Sequence, residues 1–199
     1  MRHCHWLVLG LAALGASATR AQDDVADSDW FPTAVGMSWT YRVPDGKVVV
    51  KVAKHEIQSG TMCARIETLD KGEVVAVQDV AVTADKVLRV AHDGEKIEPP
   101  LLLLKLPAAK GQKWTVDSKM TDRSGTDLIR GSFMTAEEDV KVPAGEFKKA
   151  IRATAEITIN GRATTIKSWY APKVGLIKQR IITGAQTHEM ELEKVELPK

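Results

Sequence analysis

Glycine-centred turn signals punctuate this sequence at intervals of about ten residues, and no stretch between them carries a 3.6-residue apolar period. That combination restricts the chain to antiparallel β-structure. "PDGK" (Pro44–Lys47), "LDKGE" (Leu69–Glu73), "HDGE" (His92–Glu95) and "INGR" (Ile159–Arg162) each set Gly where a positive φ is needed. The last is specific enough to fix a register. With Asn160 and Gly161 as a two-residue turn, Ile159 pairs with Arg162 and every later pair keeps the same sum of residue numbers. Ala153, Ala155 and Ile157 then share an apolar face with Thr164, Ile166 and Ser168. Arg152, Thr154, Glu156 and Thr158 share the wet face with Ala163, Thr165, Lys167 and Trp169. Arg152 falls opposite Trp169, placed to stack as cation on ring.

The same reading predicts strands near residues 38–43, 47–57, 61–69, 73–82, 86–92, 113–120, 127–141, 147–159, 162–170, 175–183 and 186–196. In the last, His188, Met190 and Leu192 alternate with Glu189, Glu191 and Glu193, an apolar row against an acidic row. About ten strands are too many for one flat sheet, so the sheet must curl or close on itself. The expected fold is mainly β with little helix: a single strongly curved antiparallel sheet, or a partly open barrel, with a concave apolar face.

One phrase occurs twice. "FPTAVGMSWTY" (Phe31–Tyr41) returns as "LPAAKGQKWTV" (Leu106–Val116), with Pro32/Pro107, Ala34/Ala109, Gly36/Gly111, Trp39/Trp114 and Thr40/Thr115 in register. Pro disfavours continued pairing, Gly permits a left-handed turn, and Trp falls inside the next strand. Each copy reads as a corner that ends one segment and pegs the next with a large ring, a burial worth several kcal/mol. Looser echoes stand at "VPAGEF" (Val142–Phe147) and "YAPKVGLIK" (Tyr170–Lys178).

Taken together, "FPTAVGMSWTYRV", "LLLLKLPAAKGQKW", "VPAGEFKKA" and "WYAPKVGLIKQ" resemble the recurring segments of an exported bacterial family of unknown function, the TapB-like periplasmic β-proteins, over most of residues 30–183. The resemblance implies a curved antiparallel sheet similar to the half-barrel of lipoprotein-carrier proteins, an analogy of fold alone. It supplies no catalytic residues. Met37 stands where that pattern prefers Asn after the first Gly.

The first residues have a different character. Arg2 and two His precede the apolar run "WLVLGLAALGASA", followed by small residues at Ala16, Ala18 and Ala21. This reads as a secretory signal peptide over residues 1–21, cleaved near Ala18 or Ala21 and too short to span a bilayer. "QDDVADSD" follows as a flexible leader over residues 22–29, and residues 30–199 form a single domain. The product is expected to be exported, periplasmic or secreted, with no transmembrane segment in the mature chain. Loss of Arg2 and Arg20 with the signal leaves 26 basic against 26 acidic side chains, and no Lys/Arg block argues for a nucleic-acid partner. Cys63 is then the one remaining cysteine. Strict alternation puts it on a face with Thr61 and Arg65, away from Met62, Ala64 and Ile66, whereas the general burial of cysteine argues for a covered thiol. Both readings stand at this level.

No catalytic motif is present: no nucleophile elbow, phosphate-binding loop, dinucleotide fingerprint or zincin helix. His55, His92 and His188 each neighbour an acid, but neighbours in a strand point to opposite faces, so no metal site is expected and no cofactor is implied. The segment least explained by scaffold needs is "EPPLLLLKLP" (Glu98–Pro107). Four consecutive Leu cannot alternate as a half-wet strand, so it reads as a loop, either a fixed cap over the open face or a mobile lid.

The sequence therefore points to a non-enzymatic exported β-protein that binds an apolar ligand, such as a lipid, or an envelope protein on its concave face. The candidate ligand-binding residues are Trp39, Leu101, Leu102, Leu103, Leu104 and Trp114. The alternative is a structural component of envelope assembly with no small ligand, presenting the Leu segment or an edge strand to its partner.

Overall fold

The computed structural model describes residues 28–121 and 125–198. Its twelve strands are β1 (Ser38–Val43), β2 (Gly46–Gln58), β3 (Thr61–Asp70), β4 (Glu73–Val82), β5 (Lys86–His92), β6 (Glu95–Lys105), β7 (Lys113–Thr121), β8 (Thr126–Val142), β9 (Gly145–Ile159), β10 (Arg162–Ala171), β11 (Gly175–Thr183) and β12 (Gln186–Glu196). No helix occurs among the described residues. Each strand pairs antiparallel with its neighbours in sequence, and β1 pairs with β12, so the meander closes into a barrel. The proposed signal peptide, with its cleavage site, and residues 22–27 of the proposed leader lie outside the described residues. Asp29 is tied to the barrel through its carbonyl, which accepts from Lys173 N–H at 2.6 Å.

Closure corrects the expectation of about ten strands in a partly open, carrier-like half-barrel. The missing wall is β6, the segment read as a cap or lid. Bulges between Val87 and Leu88 and between Arg89 and Ala91 break strict alternation along β5 and β6. Leu101 and Leu104 thereby turn inward together, at 5% and 0% exposure, while Leu102 pairs with Leu88. A run of four Leu fails the alternation test only if no residue is inserted, and a bulge inserts one.

The Asn160–Gly161 hairpin forms as its sequence dictates. Both residues have positive φ, 50° and 77°, and the ladder runs in the expected register from Ile159–Arg162 to Arg152–Trp169. Ala153, Ala155, Ile157, Thr164 and Ser168 are buried. Trp169 lies on the outer row and is buried as well, at 6% exposure. Its indole N–H donates to Glu138, whose other oxygen accepts from Arg152 at 2.9 Å, and Lys178 Nζ stands 5.8 Å from the ring centroid. The cation over the ring is therefore Lys178, since Arg152 is drawn to the carboxylate.

The acidic row of β12 faces a basic one. Lys178 Nζ lies 3.2 Å from Glu189 and 2.7 Å from Glu191, Arg42 lies 2.9 Å from Glu191, and Lys47 lies 2.5 Å from Glu193. The exposed pairs contribute at most about 1 kcal/mol each. Burial carries the barrel: Trp39, Tyr41, Trp114, Phe133, Ile151, Tyr170, Ile177 and Leu192 belong to one continuous core, each worth roughly 1.5–3 kcal/mol or more when fully covered.

One joint is thin: between β6 and β7 the ladder has only the pairs Ile97–Met120 and Glu98–Lys119. Between β11 and β12 the ladder runs from Thr183–Gln186 to Lys178–Glu191, and Val174, just before β11, lies beyond its end. The Trp of each copy of the repeated phrase ties such a stretch to the strand it sits on. Trp114 Nε1 donates to Leu102 O at 3.0 Å, and Trp39 Nε1 donates to Val174 O at 2.7 Å. The backbone corners also match. Gly36 N–H donates to Val52 O and Val52 N–H to Met37 O, both at 2.9 Å; Gly111 N–H donates to Thr135 O at 2.9 Å and Thr135 N–H to Gln112 O at 3.0 Å. The phrase occurs twice because the barrel is two six-stranded runs, and each run opens on this corner.

Candidate functional site

Trp39 and Tyr41 alternate with outward residues on β1, so both rings enter the barrel. Each is held by a β11-side carbonyl, Trp39 by Val174 and Tyr41 by Leu176, the latter at 2.7 Å. Burial, with Tyr170 nearby, pushes the Tyr41 phenol far above its usual range. In front of these rings lies a cavity of about 190 Å³. Its apolar wall comes from Phe31, Val50, Ile66, Leu103, Leu176 and Met190, and Pro32 and Gly175 meet at one side. Gly175 has a φ of 84°, and a Cβ there would stand 3.1 Å from Pro32, so glycine keeps the β11 start against the incoming segment. His55 Nε2 donates to Thr33 O at 2.7 Å and ties that segment to β2.

The polar wall is more unusual. Arg89, Gln78, Gln179, Thr68 and Tyr170 also line the cavity. Arg89 shares the inward face of β5 with Val87, which is wholly buried. Its Nε is buried with no hydrogen-bond partner among the described residues. Burial pulls the guanidinium pKa down, opposed by Tyr170. Nearby His92 is held below the usual imidazole range by burial and by Arg89, against the pull of Asp93.

Of the sequence-derived site residues, Trp39 and Leu103 line the cavity. Leu101 and Leu104 are packed into the core beside it, Leu102 is only partly buried, and Trp114 lies elsewhere, stacked on Phe133 at 5.0 Å between centroids and 13° between planes. Sequence reasoning passed over Tyr41, Gln78, Arg89, Tyr170 and Gln179. Arg89 had a signal: in "KVLRVAH" it stands two residues from Val87, a charge on an apolar row.

Cys63 resolves its two readings together. It occupies the outer row with Arg65, yet is fully buried with Ala81 and Val90 in a small cluster separate from the main core. Burial, with Asp79 and Glu56 nearby, pushes the thiol up to about 11, so at neutral pH it is a packed thiol and not a nucleophile. Among the described residues no group of three or more His, Cys, Asp or Glu is arranged to hold a metal ion. No described helix is long and apolar enough to cross a membrane, which says nothing of strands.

No family model matches the chain, and no curated protein matches it, so the TapB-like resemblance finds no support there. Solved structures do match. A predicted lipoprotein from Parabacteroides distasonis has a TM-score of 0.57 and 13% identity, over 86% of this chain and 100% of that one. A predicted exported protein with a YmcC-like fold from Bacteroides fragilis has a TM-score of 0.45 and 16% identity, over 85% of this chain and 100% of that one. The hypothetical lipoprotein YmcC from Escherichia coli has a TM-score of 0.39 and 13% identity, over 84% of this chain and 88% of that one. At such identities the likeness concerns fold alone.

Proposed function

We propose that the chain is an exported, non-enzymatic β-barrel that holds a small apolar ligand, or one end of a longer one, in the cavity beneath Trp39. The observation that carries this reading is the cavity itself, half-open and walled by apolar side chains of the core. Interiors are normally packed to leave few voids larger than a water molecule. A void of this size holds on the order of six carbon atoms, by comparison with apolar cavities that take benzene. Export rests on the N-terminal sequence, and the predicted lipoprotein that shares the fold accords with it. The ligand reading is favoured over the assembly alternative because Leu101 and Leu104 are buried, Leu102 and Leu103 are only partly exposed, and a closed ring has no free edge strand.

Mass spectrometry of organic extracts from the purified protein tests the reading. Apolar species near stoichiometric amount, lost in a Leu103→Trp variant that fills the cavity, are expected. A native protein that yields none, and whose melting temperature 1-octanol does not raise, overturns it.

A further inference from the structure

We infer that the cavity selects an amphiphile with a single carboxylate head, a short to medium alkanoic acid whose head is held by Arg89 and whose chain lies against Trp39 and Leu103. This rests on the reading of the cavity as an apolar-ligand site and goes further by naming the head group.

A guanidinium inside a barrel is costly unless an anion or a full set of acceptors meets it. Here neither is present among the described residues. No described carboxylate forms an ion pair with Arg89, and no described group accepts from its Nε. Every other described cation placed near the core has a partner. Lys178 has Glu189 and Glu191, Arg152 has Glu138, and Arg65 has Glu56. The exception opens onto a cavity, where a ligand supplies what the chain omits.

The chemistry of the surroundings narrows the ligand. Arg presents a planar fork of donors that matches a carboxylate with two parallel hydrogen bonds. One fixed positive charge balances one negative charge, which favours a monoanion over a dianionic phosphate. Gln78 and Thr68 lie in the same lining and offer amide and hydroxyl groups to the head. Gln179 is partly committed, its Nε2 donating to Ser168 at 3.0 Å, and the Tyr41 hydroxyl is committed to Leu176. The rest of the wall is hydrocarbon or aromatic. With room for about half a dozen carbons and an open side, the cavity suits the head and first carbons of an alkanoic acid such as octanoate, its carboxylate at Arg89 and its chain end leaving through the opening.

The experiment compares sodium octanoate, 1-octanol and sodium phosphate on the native protein and on Arg89→Leu, by calorimetry and by intrinsic tryptophan fluorescence, to which Trp39 contributes. Octanoate is expected to bind native protein at least tenfold more tightly than 1-octanol, with phosphate alone not binding. In Arg89→Leu that advantage disappears while 1-octanol still binds. Should Arg89→Leu fail to fold, Arg89→Gln and the octanoate-to-octanol ratio on native protein carry the same decision. Equal binding of octanoate and octanol by native protein, an advantage that survives in Arg89→Leu, or phosphate binding as tight as octanoate overturns the carboxylate assignment and leaves the apolar site standing. Binding of neither organic probe overturns both.

Discussion

At Gly36 and at Gly111 the backbone follows one path. φ is 89° and 82°, each glycine N–H donates into a strand of the same run, and three residues later an indole N–H reaches a backbone carbonyl of another segment. What lies in front of the two indoles differs. Trp114 is backed by Phe133 and capped by Lys105, whose Nζ is 5.8 Å from its ring centroid and 3.0 Å from Lys113 O. Trp39 faces the half-open apolar cavity inside the barrel, whereas the pocket that touches Trp114 and Phe133 is lined mainly by the polar side chains Lys113, Thr115, Ser132, Thr154 and Glu156. The same contrast runs through the two halves. Asp79, Arg89 and His92, all in β1–β6, hold buried polar atoms without partners among the described residues, while β7–β12 hold one such atom, Arg152 Nε. The first run holds more of these unsatisfied groups, and one of them, Arg89, lines the apolar cavity, an arrangement that suits a binding site.

Removing the rings strains this comparison hardest. Trp114→Ala is expected to cost about 4 kcal/mol, because it opens a cavity and strips a two-pair joint of its main fastener. Trp39→Ala should cost less, about 3 kcal/mol, since part of its surface already faces a void, and it should weaken octanol binding where Trp114→Ala does not. Denaturant melts of both variants decide the order, and a reversed order breaks the division of labour.

The strand partner of each corner gives a second handle. Thr135 takes the place that Val52 takes in the first copy, and its hydroxyl donates to Ala109 O at 2.6 Å and accepts from Gln112 N–H at 2.9 Å. Thr135→Val makes the second corner like the first. A loss of about 2 kcal/mol is expected from the groups left unpaired, readable in the same melts. The glycines should behave as equals. Gly36→Ala and Gly111→Ala each put a side chain in the left-handed region with no atom closer than 3.5 Å, so each should cost about 1 kcal/mol. Unequal costs would mean the corners are not the same device.

The smallest effect concerns pH. His92 titrates below its ordinary value of 6.5 in the fold, so above pH 6.5 it is neutral in both states and contributes no slope. As pH falls below 6.5 the unfolded chain takes the proton first, and stability is lost until the folded value is passed. A His92→Gln variant should show a flatter acid limb than native protein in melting temperature against pH, and an unchanged limb would remove His92 from the strained set.

The parts legible in sequence were those set by a few adjacent residues. Asn160–Gly161 admits one turn, and the turn dictates eighteen residues of register. Pro, Gly and Trp at fixed spacing located both corners. What could not be read depends on residues far apart. Pro99, Pro100 and four Leu look like a broken strand until β5 is known to bulge opposite them, and without β6 the sheet has no way to close. The role of Trp114 stayed hidden for the same reason, since Phe133 lies nineteen residues away and comes into view only with the β7–β8 register. Arg89 was passed over: the apolar row of β5 could have marked it as an inward charge, but not as an unpaired one, because that requires knowing what every facing strand presents.

Closure through β1 and β12 sets Ser38 beside Glu196, with Pro198 within contact range of Gly36. A ring whose two ends touch has no privileged starting point. A linker from Pro198 to the segment that precedes β1, so that Phe31, Pro32 and Thr33 keep their places, with a new cut at the exposed Lys71–Gly72 tip, should give a permutant that keeps the same hydrogen-bonded circuit, because the order of strands around the wall, and not the order of synthesis, is what the core enforces.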